Sequence, residues 1–184
     1  MILNDKVLVN RDQFLSKVEW ISGALGIDSN WLMAVMWFES KLNPQAANPY
    51  GTAVGLIQFT KSTALSLGTT RQELLLMSNV EQLKYVYKYL LPYKGKLNSP
   101  GQLYLAIFSP AYLNKADDYI ISLSANWVKA NKIFDLNQDE NITVGEVRTK
   151  FIKYYEHLKS LYPAAVSGSL LLIGFAIALL TIKL

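Results

Sequence analysis

The chain is expected to fold as a mainly α domain followed by one C-terminal transmembrane helix, and three observations predict this. Apolar residues recur three and four apart through much of residues 10–134. Start signatures of the Ser/Thr-x-x-Glu type open several of these stretches. Near the end, Ala164 to Ile182 carries no charge at all, and about twenty such residues span a bilayer's hydrocarbon core.

Taken in order, Asn10 is placed to cap a helix that runs to about Leu25, with Phe14, Val18, Ile21 and Leu25 on its buried stripe. Gly26 ends it. Asp28 or Ser29 caps the next helix, which Asn43-Pro44 stops. Residues 44–54, with Pro49 and Gly51, suit an irregular loop or a small hairpin. Thr60 begins a short helix that Gly68 closes. Thr70-Arg-Gln-Glu73 and Ser78-Asn-Val-Glu81 are capping boxes that open two more. The second reaches about Leu91 and stops at Pro92. Its tyrosines at 85, 87 and 89, with Tyr93 beyond, are expected mostly in or beside the core. Lys94 to Gly101 is a loop, and Ser99-Pro100 supplies the cap and first residue of a helix carrying Tyr104, Leu105, Ile107 and Phe108 up to Pro110. Residues 116–134 are expected to be helical again. The domain is drawn at 1–160 and the appended membrane helix at 161–184.

Composition narrows the functional classes. At 184 residues, the chain accommodates one domain with a proper core and a small appendage. Its apolar fraction of 51% and charged fraction of 17% exclude a disordered body. The net charge of +4 suits an anionic partner such as cell-wall polymer or lipid headgroups. No basic run is interleaved with aromatics, which argues against nucleic acid. Without cysteine, disulfides and thiol catalysis are both excluded.

Glu39 stands out against this background. In Asp28–Leu42, the residues Leu32, Val35, Glu39 and Leu42 share one helical face, so a carboxylate occupies a position otherwise given to apolar side chains. Poor solvation favours the protonated form, and a carboxyl that keeps its proton near neutral pH acts as a general acid. The alternative is a Glu at the helix edge reaching solvent.

The residues that follow carry a resemblance. Glu39-Ser40, then Asn43-Pro44, then the turn Pro49-Tyr50-Gly51, then Gly55-Leu56-Ile57-Gln58, appear in the order found in the signature of soluble lytic transglycosylases. The chain resembles that family, whose lysozyme-like fold is related to goose-type lysozymes. Ile57 replaces the usual Met, and about one extra residue separates the turn from Gly55. The match is specific over roughly residues 28–70 and loose elsewhere. It implies a lysozyme-like helical domain that cuts peptidoglycan between N-acetylmuramic acid (MurNAc) and N-acetylglucosamine (GlcNAc), with Glu39 as the single catalytic acid.

Glycosidases usually employ two carboxylates, yet no Asp or Glu lies between Glu39 and Glu73. That agrees with the scheme the resemblance implies. Glu39 protonates the bridging oxygen, then accepts the proton of the muramic C6 hydroxyl as a 1,6-anhydro ring closes. Ser40, Gly55 and Gln58 are carried over as substrate-binding positions, Gly55 because it lets backbone come close to the sugar. The family's later Tyr-Asn-Ala-Gly element is replaced here by Phe108-Ser109-Pro110-Ala111. Tyr104 or Tyr112 is therefore expected to supply a hydroxyl near Glu39. The lone His157, on a helix rich in Lys and Tyr, is expected in solvent.

A second feature lies in Asp135-Leu-Asn137-Gln-Asp139-Glu140-Asn141-Ile142-Thr143-Val-Gly-Glu146. Oxygen donors occupy loop positions one, three, five, seven, nine and twelve of an EF-hand-like pattern. The metal ligands expected are Asp135, Asn137, Asp139, Asn141 and Glu146, holding a structural Ca2+ that clamps the last two helices. Glu140 departs from the pattern, since the sixth position is normally Gly, and a non-Gly residue at positive φ costs about 1 kcal/mol. The alternative is an acidic helix–helix loop without metal. Catalysis itself needs no cofactor.

The two ends of the chain bear on location. The first residues lack the basic-then-apolar layout of a secretory signal, while Tyr162 and Lys183 flank the apolar run as interface residues do. The expectation is a membrane-anchored protein in the virion membrane of a phage or in the host inner membrane, with lipid, glycan strands and other virion proteins as partners. Two alternatives stay open: a hydrolytic muramidase of the same fold, with Asp117 or Asp118 holding a water, and a non-catalytic virion or wall-binding structural protein.

Overall fold

The computed structural model describes residues 1–163 except Tyr50, Thr52 and Leu123. Those residues form eight α-helices: α1 (Arg11–Leu25), α2 (Ser29–Ser40), α3 (Lys61–Ser66), α4 (Arg71–Leu76), α5 (Asn79–Leu90), α6 (Pro100–Phe108), α7 (Ala125–Ala130) and α8 (Val144–Ser160). Short 3₁₀ turns lie at Asn4–Lys6, Leu91–Tyr93, Pro110–Tyr112 and Lys132–Phe134. Extended pairing is confined, among the described residues, to isolated bridges.

α2 is the central helix. Leu32, Met33, Ala34, Val35 and Met36 follow one another and each is 0% exposed. A helix that is apolar on every side belongs in the core, and α1, α6 and α8 pack around this one. α1 also packs on α5, while the most extensive pairing among the described residues is α6 on α8.

Most helix starts follow local chemistry. The Asp28 carboxylate accepts the Asn30 N–H at 2.7 Å, and Thr60 and Ser99 cap α3 and α6 in the same manner. Both expected capping boxes form, at Thr70/Glu73 and Ser78/Glu81. A third, Thr143/Glu146, opens α8.

Two expectations are corrected. Asn10 stands at the N-cap of α1 without capping it; its amide donates instead to Asn79 Oδ1 at 3.2 Å, tying α1 to the start of α5. Residues 116–122 are not helical. Their backbone pairs with the segment entering α8: the N–H of Ile121 donates to Ile142 O, and those of Val144 and Gly145 donate to Tyr119 O and Asp117 O. These long-range bonds satisfy groups that a helix would have used internally, and the helix restarts only at the Ser124 cap.

Among the described residues no helix is long and apolar enough to cross a membrane. The span expected between Ala164 and Ile182 lies outside the described residues.

Candidate active site

Glu39 sits in the last turn of α2, one turn beyond the fully buried Val35. Its surface is half-buried, and its carboxyl is densely enclosed by protein, so burial pushes the pKa up to about 7. The negative end of the α2 dipole acts in the same direction. A hydrogen bond from the Tyr104 hydroxyl opposes both. Among the described residues the ion pairs are Lys6–Asp5, Arg148–Asp117 and Lys159–Glu156, so no cation neutralises Glu39.

Tyr104 reaches Glu39 from inside. Its residue is 2% exposed, and its ring stacks on Phe151 with centres 4.5 Å apart and planes 1° from parallel. Phe38, the neighbour of Glu39, meets Tyr104, Phe151 and Tyr154 edge-on at 5.1, 5.7 and 4.9 Å. This aromatic layer joins α2, α6 and α8 and keeps water from the inner side of Glu39. Burial and the facing carboxyl hold the Tyr104 phenol well above its ordinary pKa, so it serves as a donor. Tyr112, the other expected hydroxyl, packs on Tyr119 with ring centres 5.5 Å apart.

The loop between α2 and α3 is tied to this end of α2 through Ser40 and Leu56. It folds back on itself through bridges joining Val54 to both Ala47 and Phe59. The N–H of Gly55 donates to Ala46 O at 2.8 Å. Lys41 and Leu42 leave α2 with φ of 57° and 61°, which ends the helix before Pro44 is reached.

Ser40, Gln58 and Gly55, expected at the sugar, each have partners within the protein. Ser40 is buried, and its hydroxyl lies 2.9 Å from Met36 O and 3.0 Å from Leu56 O, committed to backbone. Gln58 has φ 52° and donates its amide to Gly55 O at 3.1 Å. Gly55 was expected to leave room for substrate. The space a Cβ would fill is taken instead by the side chain of Gln82, whose Oε1 would lie 2.5 Å from it, and φ there is 78°.

Gln82 is the residue that sequence reasoning missed. It is 0% exposed on α5. Leu56 N–H donates to its Oε1 at 2.9 Å, and its Nε2 donates to Pro44 O and Leu74 O, each at 2.6 Å. A usable signal was present: Asn79, Gln82, Leu83, Val86 and Leu90 lie on the buried face of α5, and an uncharged amide on such a face must find partners.

The acidic loop lies apart from this in sequence, and its groups face one another. Asp139 N–H lies 3.2 Å from both Asp135 Oδ1 and Asn137 Oδ1, and Asn141 N–H donates to Asp139 Oδ1 at 2.9 Å. Glu140 takes φ 62°, so the turn normally given to Gly is made by a Glu. Ile142 is 0% exposed beneath it. Glu146 uses Oε2 in its capping box with Thr143 and Oε1 to accept Leu136 N–H at 3.0 Å. No three acidic or imidazole side chains gather as a metal cluster among the described residues. Asp135 Oδ2 also accepts the Glu140 N–H at 3.2 Å, and the Asn137 amide donates to Asp139 Oδ2 at 3.0 Å. Asp117 pairs with Arg148, whose guanidinium also reaches Gln102 and the Leu113 carbonyl, so Arg148 ties α8 to the first turn of α6 and to the segment that follows that helix. His157 is exposed on α8.

Residues 19–109 match the family described as Transglycosylase SLT domain. No curated protein matches the chain. The matched span takes in Glu39, the loop that follows it, Gln82 and Tyr104, while the acidic loop and α8 fall outside it. Residues 19–109, which carry Glu39, thus match a transglycosylase SLT domain of the lysozyme-like lytic transglycosylase family.

Proposed function

We propose that the protein is a peptidoglycan lytic transglycosylase whose catalytic residue is Glu39. What supports this is a carboxyl that burial pushes up to a pKa of about 7, with the Tyr104 phenol donating to it and no ion-pair partner among the described residues. At neutral pH a large share of such a group is protonated and able to give up its proton. Glu39 gives that proton to the oxygen bridging MurNAc to GlcNAc, and the C1–O bond breaks as GlcNAc leaves with a hydroxyl. The resulting carboxylate accepts the proton of the muramic C6 hydroxyl, whose oxygen bonds to C1. The proton ends where it began, and no water is consumed. Tyr104 stabilises the carboxylate between the two transfers by donating to it.

A single carboxyl suffices for this cycle, and the loop that follows Glu39 as far as α3 contains no other. The hydrolytic alternative needs a second carboxylate to hold water, and Asp117 is engaged by Arg148. Mass spectrometry of muropeptides after digestion separates the two outcomes. Anhydro-muramyl ends are expected; reducing ends would make the enzyme a hydrolase, and no product would leave only a wall-binding protein.

Two further roles are part of this reading. Asp135, Asn137, Asp139, the Asn141 carbonyl and Glu146 would hold a calcium ion, which supplies a structural cross-link at the start of α8. The support is the donor spacing together with the turn at Glu140. Calorimetric titration of chelator-treated protein should show one site, absent in Glu146→Ala. The uncharged run Ala164–Ile182 would anchor the body in a membrane, either a phage virion's or the host's inner membrane. Vesicle flotation of the full chain should bring it to the top of the gradient, and a form lacking residues 164–184 should stay below.

A further inference from the structure

We propose that Gln82 is a positioning residue for the reaction, a clamp that sets the distance between the loop and Glu39. It rests on the reading of Glu39 as the acid and adds a residue to it. The peptide groups of Leu56 are held from two directions. On one side Gln82 accepts the Leu56 N–H at 2.9 Å. On the other, the Ser40 hydroxyl lies 3.0 Å from the Leu56 carbonyl, and Ser40 is covalently next to Glu39. Through Leu56, α5 is therefore coupled to the turn of α2 that bears the carboxyl.

The same amide also ties the beginning of the loop to α4. Its Nε2 holds Pro44 O, where the loop begins, and Leu74 O on α4, each at 2.6 Å. An amide offers two donor hydrogens and a carbonyl oxygen, and here both hydrogens and the oxygen are engaged. Leu, Met or Ala at position 82 would leave the Pro44 and Leu74 carbonyls and the Leu56 N–H to find other partners in a dry interior. Gly55 completes the fit: with no Cβ, it lets Gln82 lie against the backbone, where a methyl would stand 2.5 Å from Oε1. Gly55 and Gln82 thus form a matched pair 27 positions apart in the chain.

Displacing a reacting group by about 1 Å can cost roughly a hundredfold in rate even when the change is remote from the chemistry. Gln82→Met keeps the volume and removes all three bonds. We expect it to fold, as judged by circular dichroism, to lower kcat by up to about a hundredfold, and to leave KM near the wild-type value. Gln82→Glu is the conservative rescue. A carboxyl buried here keeps its proton, accepts from Leu56 and donates one hydrogen in place of two. It should restore most of kcat at low pH and lose it as pH rises, because an ionised carboxylate would face the Pro44 and Leu74 oxygens. Hydrogen exchange at the Leu56 amide should quicken about tenfold in Gln82→Met, as expected for one lost hydrogen bond.

Wild-type kcat in Gln82→Met with unchanged Leu56 exchange overturns the proposal. So does a Gln82→Glu enzyme whose pH profile matches the wild type, which decides the matter should the Met variant fail to fold. If wild-type protein releases no muropeptides, the reading of Glu39 fails by itself, and Leu56 exchange still tests the clamp.

Discussion

The last turn of α2 and the first turns of α4 and α5 each carry a glutamate, and the three are driven in opposite directions. Glu73 accepts from Thr69 Oγ1 at 2.9 Å and Thr70 N–H at 2.8 Å, and Glu81 accepts from Ser78 N–H at 2.7 Å and its hydroxyl at 2.8 Å. These bonds hold both carboxyls below the ordinary range. Glu39 lies at the other end of a helix, enclosed rather than solvated, and is held up to about 7. One side-chain type is thus driven toward the anion in a cap or toward the protonated form, depending on which end of a helix it occupies and whether backbone N–H groups face it.

The comparison can be broken most severely at Glu39. Glu39→Gln keeps the shape and removes the proton, so lysis of peptidoglycan should fall by roughly 10²–10⁴-fold in a turbidity assay, with no loss of folded structure. Phe151→Ala attacks the enclosure. This ring is 0% exposed and supports both Tyr104 and Phe38, so denaturant unfolding should show a loss of about 3–5 kcal/mol. Water admitted beside Glu39 should also lower its pKa.

Stability should depend on pH in the direction set by a raised carboxyl. Below 4.5, the ordinary value, Glu39 is protonated whether the chain is folded or not, and its contribution is fully present. Between 4.5 and about 7 the unfolded chain ionises first, and roughly 3 kcal/mol is lost across that window. Glu39→Gln should lack this decline when unfolding is measured as a function of pH.

Tyr104→Phe removes the one interaction that lowers the Glu39 pKa, so the high-pH limb of the rate profile should move upward in pH. Ser78→Ala, at the opposite kind of site, should cost only about 1 kcal/mol through the lost cap and leave that profile unmoved.

Features written in neighbouring residues were legible in the sequence. The capping boxes at Thr70 and Ser78 need only a hydroxyl and a carboxyl three positions on. Glu39 showed itself as a charge on an apolar face. Thr143 and Glu146 carry the same capping signature, overlaid by a metal-ligand pattern that uses the same Glu. What escaped depends on partners distant in the chain. Asn10 has a left-handed backbone at the N-cap of α1 and turns its amide to Asn79 rather than capping the helix. Residues 116–122 are not helical because the segment entering α8 pairs with them. The choice between Tyr104 and Tyr112 required knowing how α6 packs on α2. Gln82 has its partners in three separate segments, and only its place on the buried face of α5 hinted at a role.

The central claim is that Glu39 holds its proton near neutral pH, and a carbon-detected NMR titration of its side-chain carboxyl tests this most directly. A midpoint near 7, well separated from those of Glu73 and Glu81, is the expected result. A midpoint near 4.5, the ordinary carboxylate value, would contradict it.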